Sequence, residues 1–515
     1  MSSNIISFKL LLAINIILLA LSYSFALNLF SEQYHGEYIC PIIIGLLVAI
    51  NTFFANKIIF NSVVLKSSLL VTVLFGVIEV IYSLTIGSHL HPIIGTLSNP
   101  SIFSMAITMS MPALLYFYNK RNKAIKIVTI MLYIFAFVAV AMSQSRTGII
   151  CMIVCGIYIL WKTFHFKAKY LLGVSIAVSI IAATSMLFVK SESTKGRHFI
   201  LDRSAEMIYE KPLGWGSDGF TRNYMDFQAE YFENNDDEEA ALLADNMRHP
   251  LNEYIYIAIN YGVLTIIAVL LLAVMLVYYK LKENSNESHT FVLTATLLAI
   301  WMMFAYPLSQ PLTWNIIYLS LLLFVCNSNL KVNRTKTIKG IIILSASVLI
   351  FFICRNYTIR HQWEKAVELY HTQKQKTIAF AMFDKLKNIY GNDAEFLYSY
   401  ATLLYNEKQY EDAISIAEKC DSVSANYDLE ILLANSYMFV GELGKAEKHY
   451  IQACNMCPNR FIPLYKLFKI YKQLGDTEKM LKVGNIILNK KIKVPSQKID
   501  IILNNVKYEL KRIGK

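Results

Sequence analysis

Apolar blocks close to 20 residues long recur through the first 355 residues, and they constrain this chain more than any motif does. A block of that length crosses a hydrocarbon core of roughly 30 Å as a helix. Within lipid every backbone N–H and C=O must be paired inside the protein, so a single spanning block has to be helical. Eleven spans are predicted, at 8–30, 38–56, 67–87, 101–118, 127–143, 147–162, 168–189, 252–279, 290–306, 312–328 and 340–354. Composition agrees, with 55% apolar residues against 17% charged and a mean hydropathy of +0.41. Leu11–Phe30 is too long for the apolar part of a signal peptide and lacks a clear small-residue cleavage site, so a retained first helix is expected.

The cations of the short loops give the orientation. Lys57 and Lys66, then Lys120, Arg121, Lys123 and Lys126, then Lys162, Lys167 and Lys169, then Lys280 and Lys282, then Lys331, Arg334, Lys336 and Lys339 all follow even-numbered spans. With the N-terminus inside, every one of them is cytoplasmic, as the positive-inside rule requires. The net charge of +12 is therefore read as a topology signal, and no nucleic-acid partner is expected. The odd-numbered exits, including the long stretch Ser191–Leu251 and everything after the eleventh span, fall outside. Most of the 8 cysteines lie within apolar spans, and no disulfide framework is expected.

The tail is a different polymer. Charge rises from about residue 360, and Ala379, Ala413, Ala446 and Met480 follow one another at 34, 33 and 34 residues. Gly441 and Gly475 are 34 apart, and Ala401 and Ala434 are 33 apart. Segments such as Tyr410–Ala413 and Leu443–Ala446, with Pro458, resemble the tetratricopeptide pattern, in which paired helices bury their apolar faces on their neighbours. The predicted fold class is all-α: a polytopic membrane bundle over 1–355, with a large outer loop at about 190–251, and an α-solenoid over 356–515. The solenoid is read as a docking surface for a protein partner or as a plain helical cap. Cys454 and Cys457 lack the second ligand pair of a metal site and are read as packing residues.

Chemistry is sought where polar groups are placed at cost. Glu79 lies inside the third span, where a carboxylate must face protein or a cavity. Arg146 sits in the polar corner Ser143–Gly148 between two spans; its fork of donors suits phosphate oxygens, and a snorkelling arginine is the alternative. The long outer stretch adds Arg197 and Arg203, the glycine-rich segment Pro212–Phe220 and the acidic run Asn234–Glu239. The glycine-rich segment lacks the lysine of a nucleotide loop and is read as tight packing; the acidic run is read as solvated more readily than as a metal site. His249 and Glu253, four apart at a helix entrance, can share one face, and histidine suits deprotonation of an acceptor hydroxyl.

In this order the residues resemble the superfamily of O-antigen ligases, O-antigen polymerases and bacterial O-oligosaccharyltransferases. The pieces are Ile78–Tyr82, Gly95–Phe103, Ser145–Gly148, Gly196-Arg197, Pro212–Phe220, Ala244–Tyr254 and Tyr306–Leu308, so the resemblance covers roughly 65–328. The form with a tetratricopeptide tail is similar to members from Bacteroidetes. The resemblance implies a GT-C-like, metal-independent glycosyltransferase of the bacterial inner membrane, with its tail in the periplasm and no cofactor. It would move a glycan from undecaprenyl diphosphate to an acceptor protein, to lipid A–core, or to a growing glycan. By matching position Arg146 and Arg197 would hold the diphosphate, and His249 would orient or deprotonate the acceptor hydroxyl. Glu79, Asn99, Arg203, Asn252 and Glu253 would help bind substrate. Leu251 stands where many relatives carry a second histidine, and Leu201 where a tryptophan is expected. A lipid-linked glycan transporter and a non-catalytic scaffold are the readings from other classes.

Overall fold

A computed structural model describes residues 2–27, 29, 33–54, 62–86, 92–97, 99–118, 121–164, 173, 192–325, 336–372 and 375–513. The described residues are all-α, with no strand among them. In chain order the helices open with α1 (Ser2–Ala26), α2 (Gln33–Phe54), α3 (Ser62–Thr85), α4 (Pro100–Tyr116), α5 (Lys123–Met142) and α6 (Arg146–Phe164). The long loop holds α7 (Glu192–Glu210), α8 (Gly219–Asn234) and α9 (Glu238–Leu243), and is followed by α10 (Glu253–Tyr261). Next come α11 (Val263–Glu283), α12 (Asn286–Phe304), a 3-10 turn at Pro307–Ser309, α13 (Leu312–Val325) and α14 (Lys336–His371). The tail holds α15 (Lys376–Tyr390), α16 (Ala394–Asn406), α17 (Tyr410–Asp421), α18 (Tyr427–Phe439), α19 (Leu443–Met456), α20 (Ile462–Leu474), α21 (Thr477–Asn489) and α22 (Gln497–Ile513).

Two compact units result. The first comprises Met1–Phe188, Leu251–Tyr254 and Ile267–Arg360; the second comprises Val189–Pro250, Ile255–Ile266 and His361–Lys515. Among the described residues, six helices, lying wholly or mainly in the first unit, are long and apolar enough to cross a membrane and four shorter ones are apolar. These ten correspond to ten of the predicted spans; the remaining one, the seventh at 168–189, lies outside the described residues apart from residue 173. The chain is a multi-pass membrane protein. α4 is its pivot: every residue from Phe103 to Tyr116 is buried, as expected of a helix that is apolar or small all round. It starts sharply because Asn99 caps it, accepting from the Ser101 N–H at 2.7 Å, and Pro100 has no N–H to satisfy.

Lipid offers helices no hydrophobic reason to associate, so close approach and buried polar ties hold this unit together. The Asn51 amide donates to Asn15 at 2.7 Å and to the Tyr318 hydroxyl at 3.0 Å, joining α1, α2 and α13. Trp301 donates to Thr108 at 2.9 Å, joining α12 to α4. Gly148 of α6 lies so close to Ser104 of α4 that an added Cβ would meet the serine Cβ at 2.7 Å. Two of the flanking cations are engaged as well. Lys162 donates to the Leu115 carbonyl and to Asn286, each at 3.0 Å, and buried Lys280 pairs with Glu283 at 2.8 Å.

The span predicted at 252–279 needs correction. The helix breaks at Gly262 (φ 89°), so the apolar helix runs from Val263 and Glu253–Tyr261 is a separate helix. The cause is a crossing chain: Val263 N–H donates to the Pro212 carbonyl at 2.9 Å, and a Cβ at position 262 would lie 2.6 Å from the Leu213 carbonyl oxygen. Apolar residues flank the break on both sides, which hides it from a hydropathy profile.

In the second unit the tail helices pack each on the next from α16 to α22. Ala379, Ala413, Ala446 and Met480 are each the fourth residue of α15, α17, α19 and α21, and all four are buried. The three alanines at that register let neighbouring helices approach closely, and Met480 fills the same position with a larger apolar side chain. Gly441 (φ 86°) and Gly475 (φ 71°) end α18 and α20 in the left-handed region, and Lys408 (φ 62°) does the same after α16. The long loop belongs to this unit too. Its helix α8 packs on α19 of the tail, and buried Gln228 donates to the Met456 carbonyl. The Ala425 N–H donates to the Arg222 carbonyl at 3.1 Å, and Asp245 pairs with Arg460 at 2.6 Å.

Candidate functional site

In the first unit the polar corner between α5 and α6 is built around Ser143. Its hydroxyl lies 2.7 Å from Ser104 Oγ of α4 and donates to Val140 O at 2.6 Å, and Gln144 follows in the left-handed region at φ 58°. Arg146 is the first residue of α6 and is exposed. A guanidinium at the positive end of a helix dipole forms a cationic point suited to an anion. Glu79 is fully buried near the end of α3, and accepts from the Thr96 hydroxyl and from the Thr96 N–H, the latter at 3.3 Å. Its carboxylate thereby holds the segment before α4, and Gly95 (φ 62°) leaves room for it: a Cβ there would be 2.5 Å from Oε2. Asn99 is the cap already described.

Leu251–Tyr254 also belongs to this unit and is fastened to the end of α12 and the turn after it. Asn252 donates to the Met303 carbonyl at 3.1 Å, Tyr254 to the Ala299 carbonyl at 3.1 Å, and the buried Glu253 carboxylate accepts from the Leu308 N–H at 2.8 Å. Two segments singled out separately in the sequence, Ala244–Tyr254 and Tyr306–Leu308, are thus joined. Leu251 has φ 57°, a conformation that costs a non-glycine residue about 1 kcal/mol or more.

In the second unit His249 is half-buried and stacks on Tyr256, with ring centroids 4.6 Å apart and planes inclined by 26°. Tyr256 continues to Phe220 at 6.5 Å, and Phe220 stacks on Tyr224 at 4.5 Å. This aromatic row fixes the plane of the imidazole, and Tyr256 is a residue that sequence reasoning missed, since no spacing rule joins it to His249. Arg197 is half-buried on α7. Arg203, on the same helix, is engaged inside the unit: it pairs with Glu206 at 3.0 Å and its guanidinium lies 4.0 Å from the Tyr231 ring centroid.

The glycine-rich segment does pack tightly. Trp215 and Gly216 N–H groups donate to the Ile259 and Asn260 carbonyls at 2.8 and 2.9 Å, and the Asn260 side chain accepts from Phe220 N–H at 3.0 Å. Gly214 (φ 98°) makes this approach possible, since a Cβ would meet the Asn260 carbonyl oxygen at 2.7 Å. In the acidic run Asp237 caps α9 by accepting from Ala240 N–H at 2.9 Å, and Glu239 pairs with Lys195. Cys454 and Cys457 are free thiols, and burial pushes both up to about 12, out of the nucleophilic range.

Residues 130–270 match a protein-family model described as O-antigen ligase. That match supports the O-antigen ligase superfamily for this segment of the chain. No curated protein matches the chain. The matched segment runs from α5 to the first turns of α11 and contains Arg146, Arg197, Arg203, His249, Asn252 and Glu253, while Glu79 and Asn99 precede it. Members of this superfamily are membrane enzymes of glycosyl transfer, of ligase or polymerase type.

Proposed function

We propose that the chain transfers a preassembled glycan from undecaprenyl diphosphate to an acceptor hydroxyl at the periplasmic face of the bacterial inner membrane. The observation that carries this reading is Arg146, exposed at the first residue of α6 within the ligase-matched segment. As the bond between the anomeric carbon and the phosphate oxygen breaks, the diphosphate keeps the electron pair and gains charge. A forked guanidinium at a helix N-terminus stabilises that charge in the transition state. Arg197 is assigned to diphosphate binding by its place in the family pattern alone. With these cations the reaction requires no metal and no organic cofactor.

His249, held flat on Tyr256, orients the acceptor hydroxyl and takes its proton. The hydroxyl oxygen bonds to the anomeric carbon from the side opposite the leaving group, so the configuration inverts. Asn252 and Glu253 fasten the chain immediately beyond His249, and Glu79 and Asn99 shape the segment before α4; these four act by positioning. Arg203 braces α7. The acceptor is a serine or threonine of an exported protein or the lipid A–core, and the tail favours the protein.

The test is a deletion strain complemented with variants, in which glycans on lipopolysaccharide and on glycoproteins are profiled together. Arg146→Ala is expected to reduce transfer by about 100-fold or more, the usual loss for a removed transition-state donor. Arg146→Lys keeps the charge but loses the fork, and should fall between that and wild type. Wild-type profiles from both Arg146→Ala and His249→Ala, beside loss in the deletion, would sink the assignment.

A further inference from the structure

The second unit contains a cleft of about 330 Å³ that the transfer chemistry itself does not use. One wall comes from the start of α8, with Asp218 and Arg222, and from Asn246 and Arg248, which lead directly into His249. The other comes from the tail, with Asp393, Glu395 and Tyr398 on the start of α16 and Asn426 at the start of α18. The two walls are bonded together: Ser424 donates to the Thr221 carbonyl at 3.4 Å, and the Asn246 amide donates to Asn426 and Asp428, each at 3.2 Å. The cleft is therefore made jointly by loop and tail, and Arg248, the residue before His249, lines it.

Its lining suggests what it takes. Two arginines and three carboxylates line it, with side-chain amides and a single aromatic ring, Tyr398. A phosphorylated, polyanionic lipid core would meet Asp218, Asp393 and Glu395 as like charges. A neutral sugar chain has no charge to pair with either set, and one ring is a poor platform for stacking successive sugars. An extended polypeptide carries backbone donors and acceptors for the amides and side chains of either sign for the arginines and carboxylates.

We propose that this cleft is the acceptor subsite and that it binds an extended polypeptide segment of the protein to be glycosylated. The inference rests on the reading of His249 as the residue that orients the acceptor hydroxyl. It makes the tail a wall of the acceptor site, so that loop and tail select the polypeptide together.

The experiment uses the full-length chain in a deletion strain, with transfer normalised to the amount of chain in the membrane. Arg222→Glu and Tyr398→Ala perturb the cleft from opposite walls, Tyr398→Phe is the conservative partner, and His249→Ala is the control. Glycan released from protein serine and threonine, glycan on lipid A–core and the length of free polymer are measured in parallel. The expected result is at least a tenfold fall in protein-linked glycan for Arg222→Glu and Tyr398→Ala, near-normal levels for Tyr398→Phe, and no change in the other pools. Unchanged protein-linked glycan in both cleft variants, with loss in His249→Ala, overturns the subsite and leaves the transferase reading intact. A fall confined to lipid A–core or to polymer length overturns it in favour of a different acceptor. Wild-type levels of every pool in His249→Ala overturn the transferase reading and the subsite with it.

Discussion

At the scale of single residues, Glu79 separates two kinds of role. A buried carboxylate inside an apolar helix invites a catalytic assignment, yet here it accepts two hydrogen bonds from Thr96 and holds the segment that leads to the cap of α4. Glutamine keeps an acceptor oxygen at that place and alanine does not. Glu79→Gln should therefore retain most transfer, while Glu79→Ala should lose stability by about 1–3 kcal/mol and activity with it, as seen in thermal unfolding and glycan profiles. A strong activity defect in Glu79→Gln with unchanged melting would assign the carboxylate to chemistry. Sequence inspection picked out Glu79, Arg146 and His249 because their residue types are costly or reactive at those positions. Thr96 and Tyr256 escaped, because what matters about them is contact with a residue 17 or 7 positions away, which no local spacing expresses.

At the scale of elements, the break between α10 and α11 is decided by backbone approach. Gly214 and Gly262 face each other across the crossing of two chain segments, where neither tolerates a Cβ. Gly214→Ala combines a positive φ with a clash against the Asn260 carbonyl oxygen and should cost roughly 2 kcal/mol or more, read as a lower melting temperature of the purified chain. The repeat array offers the opposite case. Lys408 (φ 62°) occupies the helix-ending position that Gly441 and Gly475 fill in the following repeats. Lys408→Gly should raise stability by about 1 kcal/mol, and a fall in melting temperature would show that the lysine side chain contributes more than its strain removes. The 33- to 34-residue spacing of Ala379, Ala413, Ala446 and Met480 was legible in the sequence, and the structure buries all four at the same register of successive helices. The break at Gly262 left no such trace.

For the whole molecule, the consequential finding is the partition of the chain. The loop between the spans and the C-terminal tail form one compact unit, with Gln228 buried at their junction and donating to Met456. A chain ended after Thr372 would expose that junction on α8. Its long loop should become sensitive to limited proteolysis between Gly219 and Asn234, and transfer to every acceptor should be lost. A truncated chain with a protease-resistant loop and normal transfer would return the tail to the role of an accessory.

The sequence by itself determined the all-α membrane class and the approximate places of ten apolar helices, and it proposed the chemistry-bearing residues. Length and apolarity decide which segments enter a bilayer, charge decides which loops stay behind, and a ligase-like order of arginines and a histidine is visible one residue at a time. Only the tertiary structure decided what those residues touch. Glu79 is committed to Thr96, Asn252 and Glu253 to the turn after α12, His249 to Tyr256, and the loop to a tail about 200 residues further on. Hydropathy and charge act on each segment alone, whereas hydrogen bonds and packing join segments distant in the chain. Their partners are therefore set by the folded path.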